Sequence, residues 1–311
     1  MKNTGAKSKL EWQGYKLVGS SFGVKGCHWL KSKLLHKKAC YKEKFYGIES
    51  HRCLQMTPTV DICNCQCLYC WRFHGMRDYP KASKEDPVEI LDRLISAQRE
   101  IVSGFKGDER CEKIMWDEAR DPKHVAISLS GEPTLYPGLS DFIAACKQRG
   151  MTTFLVTNGT NPKALERLEN LPTQLYVTIA APNKEIFERL CLPSSEGLWE
   201  RVLKTLELLP SLDTRTVIRH TLVAGWNLGW ESEYAKLISK ADPDFVEAKA
   251  YMFVGDSRNR MTVENMPGHD QIRTFSERLA CELSYEIIDE HRDSRVVLLS
   301  DGECTRRISE P

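Results

Sequence analysis

The hydrophobic and polar positions of this chain follow two alternating periodicities from about residue 53 onward. Short runs rich in β-branched and apolar residues, such as 124–129 and 152–157, predict strands. Between these runs, apolar residues recur three and four positions apart, which predicts helices. The predicted strands span 53–60, 123–130, 151–157, 174–180, 215–223 and 244–253. The predicted helices span 87–103, 139–149, 162–170, 184–191 with 197–209, 231–240 and 269–283.

Six strand–helix repeats in succession predict parallel strands joined by right-handed crossovers. We therefore predict an α/β fold, a partial, TIM-like (β/α)6 barrel over residues 53–311 that ends in a C-terminal extension. A doubly wound open sheet is the alternative, and both folds place the active site at the carboxyl ends of the strands. Residues 1–52 show little periodicity, so we expect them to form a separate, irregular lid that carries basic residues and cysteines.

Charge is distributed unevenly along the 311 residues. Residues 1–55 carry 12 Lys and Arg against three acids, a balance of +9, whereas the rest of the chain carries −8. A basic extension on an acidic body indicates either a polyanionic partner or a solubilising arm. No apolar run approaches 18 residues and no apolar segment of a signal peptide follows the first lysines, so we expect neither a membrane span nor export.

Twelve cysteines add chemistry to this picture, because seven of them fall between positions 27 and 70. Without an export signal, clustered thiols indicate metal or iron–sulfur ligation in a reducing compartment, here the cytoplasm. Cys63, Cys67 and Cys70 follow the first predicted strand in a C-x₃-C-x₂-C pattern. Three thiolates can ligate three irons of a cubane cluster and leave the fourth iron open. Zinc would require a fourth ligand such as Cys65, which we expect to be a non-ligand thiol.

A second set of cysteines precedes the first strand. Cys27, Cys40 and Cys53 follow a C-x₁₂-C-x₁₂-C pattern in a polar, lysine-rich segment. They are either three unrelated buried thiols or the ligands of a second cluster that also keeps one iron open.

The loop with Cys63, Cys67 and Cys70 resembles the signature of the radical S-adenosylmethionine (SAM) superfamily. With both triads, the chain resembles the tRNA 4-demethylwyosine synthases, in the short form without a flavodoxin domain. The resemblance implies two 4Fe–4S clusters, SAM, and an external low-potential electron donor such as a flavodoxin or ferredoxin. It also implies a C–C bond-forming lyase that acts on N1-methylguanosine at position 37, in the anticodon loop of phenylalanine tRNA, with pyruvate as two-carbon donor. The alternatives are a radical enzyme with another substrate and a non-catalytic, metal-dependent RNA-binding module.

Polar residues at the predicted strand ends are candidates for cofactor binding. Gly131 allows a close backbone approach, and Glu132 offers a carboxylate; the resemblance places this segment at the ammonium group of SAM. Asn158 and Thr178 suit ribose or carboxylate hydrogen bonds, although an Asn-Gly pair is also a common turn. Arg219 suits either an anionic ligand group or an ion pair inside the barrel.

Basic residues supply the remaining candidates. Lys42, two positions after Cys40, is the predicted covalent residue that forms an imine with pyruvate, and Lys44 is the next candidate. An imine requires a neutral amine. Burial and the neighbouring lysines would lower the pKa of Lys42, whereas the anionic charge of a cluster would oppose that shift, and the sequence does not decide between the two effects. Lys249 and the tyrosine two positions later should share one face of the sixth strand. Arg258 and Arg260 lie on the loop beyond it, where they either contact phosphates or are solvated.

Overall fold

The computed structural model describes residues 9–60, 62–74, 82 and 84–308, which build one ten-stranded sheet in the order β1-β2-β3-β4-β5-β6-β7-β8-β10-β9. The strands are β1 (Tyr15–Val18), β2 (Phe22–Lys25), β3 (Cys53–Thr57), β4 (His124–Ile127), β5 (Thr152–Thr157), β6 (Gln174–Thr178), β7 (Arg215–Leu222), β8 (Phe245–Ala250), β9 (Glu286–His291) and β10 (Val296–Ser300). The helices are α1 (His28–His36), α2 (Tyr41–Tyr46), α3 (Pro87–Ser103), α4 (Lys113–Ala119), α5 (Leu139–Gln148), α6 (Pro162–Glu166), α7 (Lys184–Cys191), α8 (Leu198–Leu208), α9 (Glu231–Ala241) and α10 (His269–Leu283).

The predicted parallel barrel is confirmed. Strands β3 to β8 pair in parallel, each with the next in chain order. A doubly wound sheet reverses its strand order at a switch point. No reversal occurs between β3 and β8, so the doubly wound alternative is wrong.

The N-terminal segment is not the irregular lid that its sequence predicts. β1 and β2 form an antiparallel hairpin, and β2 continues the sheet by pairing with β3. α1 and α2 follow the hairpin. These four elements are only four to nine residues long, too short for a periodicity to stand out. The division into domains at residues 52 and 53 stays a prediction.

α2 enters the barrel instead of covering it. Its aromatic residues Tyr41, Phe45 and Tyr46 are buried in one apolar cluster with Phe154 and other barrel residues. The members of this cluster in β5 to β8 are Phe154, Tyr176, Val217 and Phe245, each among the first three residues of its strand, and Val296 and Leu298 of β10 also belong to it. The helix therefore plugs the barrel interior from the end at which the parallel strands begin.

The C-terminal extension completes the sheet on the other side. β10 pairs antiparallel with both β8 and β9. The sequence pattern predicted neither β9 nor β10 as a strand. Within the part of the chain that the structure describes, no helix has the length and apolar character needed to cross a membrane.

Candidate active site

A cavity of about 510 Å³ lies within the barrel, between the inner face of the sheet and the N-terminal segment. Every residue predicted as a cluster ligand, a cofactor contact or the covalent lysine lines it, although the part each one plays stays a prediction. These residues are Cys27, Cys40, Lys42, Cys53, Cys63, Cys67, Cys70, Gly131, Glu132, Asn158, Thr178 and Arg219.

The two cysteine triads lie at opposite ends of β3. Cys53 begins this strand, whereas the loop with Cys63, Cys67 and Cys70 follows its carboxyl end. At ~3.3 Å per residue, β3 spans about 13 Å between the two sites. Cys27 and Cys40 precede the first turns of α1 and α2, so both helices present a thiol to the same side of the cavity.

Each triad fits an iron–sulfur cluster by the chemistry of its donors. Burial raises the pKa of Cys40 and of Cys53 to about 12, and the nearby Cys27 thiol acts on both in the same direction. Burial likewise raises the pKa of Cys63 to about 12. Each triad consists of three partly buried thiols with no carboxylate in the set. Thiols are soft ligands, which iron–sulfur clusters favour and which hard cations do not.

The side chain of Arg260 holds the loop that carries Cys63, Cys67 and Cys70. Arg260 Nε donates to the carbonyl oxygen of Leu68 at 3.2 Å, and its Nη2 donates to the carbonyls of Cys70 and Arg72. Two of the three guanidinium nitrogens of Arg260 therefore bind the loop, and a contact of Arg260 with phosphate stays a prediction. Arg258, by contrast, is exposed and donates to the carbonyl oxygen of Phe253 at 3.1 Å.

Cys65 lies inside the same loop and is 2% exposed. Its backbone forms an isolated bridge with Pro193, and its carbonyl oxygen accepts from Arg72 Nη2 at 3.2 Å. These contacts give Cys65 a part in holding the loop in place. That its thiol is not a ligand stays a prediction.

Glu132 ties the loops at the ends of β4 and β5 together. The side chain is 1% exposed; its Oε1 accepts from the hydroxyls of Thr134 at 2.7 Å and Thr157 at 2.6 Å, and its Oε2 accepts from the Asn158 backbone N–H at 2.8 Å. Burial raises the pKa of this carboxyl. A carboxylate oxygen has two lone pairs, so Oε2 keeps an acceptor site for a ligand N–H.

Gly131 is required by the chain itself. Its φ is +71°, and a Cβ at this position would meet the carbonyl oxygens of Thr59 and, at 2.8 Å, Ile62. The sequence predicted that this glycine lets a ligand approach the backbone. The structure shows that the segment leading into the cysteine loop makes the close approach.

The other predicted cofactor residues reach the cavity from β5, β6 and β7. Asn158 Nδ2 donates to Asn64 Oδ1 at 2.9 Å and lies 3.9 Å from the Cys63 sulfur. Thr178 lines the cavity at the end of β6. Arg219 forms the barrel ion pair, since its Nε lies 3.0 Å from Glu247 Oε2.

Lys42 and Lys44 have different surroundings, although they share α2. Lys42 is 8% exposed, and its Nζ lies 4.5 Å from the ring centroids of both Phe154 and Tyr176. Burial first, and then the charge of Arg219, lowers the pKa of Lys42 to about 8. Burial therefore acts as expected, but the neighbouring cation is Arg219 and not a lysine. Lys44 lies outside the cavity lining and pairs with Asp289 at 2.7 Å.

Several cavity residues were missed in the sequence. Trp29, Tyr41 and Trp71 line the cavity, and each lies within two positions of a predicted cysteine ligand. Their proximity to these cysteines is the signal in the sequence that could have identified them as cavity residues. Lys249 also lines the cavity, with no role assigned from the sequence.

Comparisons with known proteins agree with this site. Residues 57–238 match the family model for the radical SAM superfamily, and residues 240–301 match that for wyosine base formation. An S-adenosyl-L-methionine-dependent tRNA 4-demethylwyosine synthase from Pyrococcus abyssi is 51% identical over 92% of this chain and 86% of its own length. The Methanocaldococcus jannaschii protein of the same name is 40% identical over 94% of both chains.

A solved structure described as TYW1 with a lysine-pyruvate adduct bound superposes with a TM-score of 0.89 and 38% identity, covering 99% of this chain and 98% of that one. Archaeal TYW1 gives a TM-score of 0.82 and 35% identity over 99% of this chain and all of that one. The family resemblance and the radical SAM fold inferred from the sequence are thus confirmed. The chain belongs to the S-adenosyl-L-methionine-dependent tRNA 4-demethylwyosine synthases, within the radical SAM superfamily.

Proposed function

We propose that this chain condenses N1-methylguanosine at position 37 of phenylalanine tRNA with pyruvate to form the tricyclic base 4-demethylwyosine. One observation carries the proposal: two three-thiol sets and a buried lysine line a single cavity, with the thiol sets at opposite ends of β3. This arrangement leaves room for a substrate base between them. The relatives' names and the lysine-pyruvate adduct of the superposed TYW1 structure support the same chemistry.

In this proposal Cys63, Cys67 and Cys70 would hold one 4Fe–4S cluster, and Cys27, Cys40 and Cys53 would hold a second. The first cluster, together with SAM, would supply the radical chemistry that activates the N1-methyl group. Glu132 Oε2 accepts from the ammonium group of SAM, because its burial and its threonine donors fix its position. Asn158, Thr178 and Arg219 line the same cavity. In this proposal they orient the other polar groups of SAM.

Lys42 supplies the covalent step. Its neutral amine attacks the carbonyl carbon of pyruvate, water leaves, and a C=N bond joins the lysine to the two-carbon donor. The rings of Phe154 and Tyr176 beside Nζ exclude water, which favours the imine over hydrolysis. Addition of the activated N1-methyl carbon to the imine carbon would form the new C–C bond. The bond to the carboxylate would then break and release that carbon with the unpaired electron, as the radical anion of CO2, so the proposed activity is that of a lyase.

The tRNA must present its base inside the barrel. An enzyme that acts on a base encloses it after flipping it out of the stack, and an anticodon loop makes this easier because its bases are unpaired. We propose that an external flavodoxin or ferredoxin in the cytoplasm supplies the electron.

The test uses anaerobic, reconstituted protein with N1-methylguanosine tRNA, pyruvate, SAM and a reductant, followed by mass analysis of the digested nucleosides. We expect 4-demethylwyosine only when pyruvate is present. K42R keeps the positive charge but cannot form the imine, so we expect product to fall by a factor of about 100 or more, in the range for loss of a covalent catalyst. The matched variant K44R should retain the normal rate.

Reductive trapping with labelled pyruvate identifies the lysine directly. We expect the label on Lys42 after peptide fragmentation. Label on Lys44, or a K42R variant with a near-normal rate, would refute this assignment, and no product from the intact enzyme would refute the proposed function.

A further inference from the structure

We propose that Lys249 binds the carboxylate of the 2-oxo acid whose carbonyl carbon reacts with Lys42. The two lysines would then act as a pair, one covalent and one electrostatic. This inference rests on the proposed function and adds to it a residue that selects the acid over neutral ketones.

Lys249 reaches the cavity from a different element than Lys42. It is the fifth residue of β8 and lines the cavity, whereas Lys42 enters from α2. The ammonium group of Lys249 donates to the carbonyl oxygen of Ser294 at 2.8 Å. An ammonium group has three N–H donors, so two remain for a ligand.

A continuous set of contacts places the two lysines around one space. Lys42 Nζ and the Arg219 guanidinium both lie over the ring of Tyr176, at 4.5 and 4.3 Å. Arg219 Nη2 in turn donates to the Tyr41 hydroxyl at 2.9 Å. The Tyr41 ring lies 5.3 Å from Lys249 Nζ. In pyruvate the carboxylate carbon is bonded directly to the carbonyl carbon, so a cation near Lys42 is the partner that this carboxylate requires.

The buried carboxylate beside this space is already paired. Glu247 is a fully buried carboxylate here, and it already binds Arg219 at 3.0 Å and the Tyr46 hydroxyl at 2.8 Å. Among the described residues, neither Lys42 nor Lys249 has an ion-pair partner. An iron–sulfur cluster on the nearby triad would keep a net negative charge and offset part of the positive charge here. Because Lys42 reacts as the neutral amine, Lys249 is the cation with which a bound carboxylate pairs.

Arg219 is the competing candidate for the carboxylate. Its Nε and Nη2 are already bound to Glu247 and Tyr41, which fixes the guanidinium against the barrel wall. The single hydrogen bond of Lys249 to a neutral carbonyl leaves its charge available. The structure therefore favours Lys249.

The test compares two ketones in the anaerobic, reconstituted enzyme. Pyruvate and hydroxyacetone share a methyl ketone, but hydroxyacetone has a neutral alcohol in place of the carboxylate. Cyanoborohydride reduces the imine that either one forms on Lys42, and peptide mass gives the trapped fraction at each ketone concentration. The variants are K249M, which removes the charge, K249R, which keeps it, and K44M, which makes the same change outside the cavity.

We expect the wild type and K44M to trap pyruvate at lower concentrations than hydroxyacetone. In K249M the half-saturating pyruvate concentration should rise roughly 10–100-fold, the range for loss of a charged hydrogen bond, while that of hydroxyacetone stays unchanged. K249R should retain most of the preference for pyruvate.

The possible failures are distinguishable. If K249M traps pyruvate as the wild type does, Lys249 does not bind the carboxylate, and the proposed function stands. If K249M loses both ketones to the same extent, Lys249 has only a structural role and the inference is overturned. If the wild type traps neither ketone at Lys42, the imine step of the proposed function fails, and this inference fails with it.

Discussion

Arg260 shows how much of a residue's role is missed when only its charge is known. On a polar loop at the edge of the barrel, its charge indicates a phosphate contact or a solvated side chain. In the structure its guanidinium binds the carbonyls of Leu68, Cys70 and Arg72. It therefore fixes the backbone of a cysteine that we propose to be an iron ligand.

Replacing Arg260 should loosen that loop. We expect R260A to retain iron at the Cys63 triad roughly 10–100-fold less tightly, the range for loss of a partner that orients a metal ligand. Iron release to a chelator over time measures this effect. R258A, at a neighbouring exposed arginine that binds the Phe253 carbonyl, is the control and should match the wild type. Equal release rates for both variants would mean that Arg260 does not support the cluster loop.

Residue types and spacing were enough to identify the cysteines, Lys42 and the strand-end residues that line the cavity, but neither its aromatic residues nor why each one is needed. The choice between Lys42 and Lys44 depends on which side of α2 faces the barrel, and a six-residue helix shows no clear periodicity. Gly131 illustrates a second limit. A glycine is required at this position because a Cβ would meet the carbonyl oxygens of Thr59 and Ile62. These residues are distant in the sequence, so the residues next to Gly131 give no signal of the contact.

At the scale of elements, β3 separates the two cysteine triads. The triad with Cys53 lies at its start and the triad of Cys63, Cys67 and Cys70 beyond its end. The charge of Lys42 acts to lower the pKa of Cys53 and Cys40 against the effect of burial, whereas Arg72 does so for Cys63. The two sets therefore have different cationic neighbours, and loss of one should leave the other intact.

Cysteine variants test this separation. We expect the wild type to bind roughly eight iron and eight sulfide, and C63A and C40A roughly four of each, on the cubane stoichiometry. C63A should no longer cleave SAM to 5′-deoxyadenosine. C40A should cleave SAM but form no tRNA product, because only the cluster site of Cys27, Cys40 and Cys53 is lost. C281A, at an exposed thiol of α10, is the control. Product formation after replacing Cys27, Cys40 and Cys53 together would exclude a second cluster.

The sequence predicted long elements well and short ones poorly. α3 and α10 begin and end at the residues that periodicity and capping indicate, since 17 and 15 residues give several turns of pattern. The Asp86 carboxylate accepts from Val88 N–H and Glu89 N–H, as expected of an N-cap. β1, β2, α1 and α2 derive their stability from packing on the barrel, which local sequence does not encode.

For the whole molecule, the basic N-terminal charge is partly neutralised by the acidic body. Lys37 lies 2.7 Å from Glu112 and Lys38 3.4 Å from Asp293, in pairs whose members are all substantially exposed. Exposed pairs of this kind contribute little to stability, so phosphates can replace the carboxylates. Lys33 differs, because its 2.6 Å pair with Glu43 is largely shielded and part of the fold.

The salt dependence of tRNA binding should report these lysines. We expect K31A/K37A/K38A to flatten the plot of log K against log salt by up to about 0.7–0.9 for each phosphate that the variant no longer binds. K163A/K236A/K240A removes the same charge from exposed positions on α6 and α9 and is the control. Equal slopes for the two variants would place the RNA surface elsewhere. Lys33 is left unchanged so that folding is not affected.

The plug formed by α2 also has a consequence for how the protein is made. The ribosome delivers α2 with Cys40 and Lys42 before any of the strand residues that bury it, which begin with Phe154 and end with Leu298. At ~5–20 residues per second, synthesis of the roughly 100–250 intervening residues takes on the order of ten seconds or more. Throughout that interval Cys27, Cys40 and Cys53 are open to oxidants and to stray metals. Vectorial synthesis thus leaves the thiols of the newborn N-terminal segment chemically vulnerable until the barrel closes around α2.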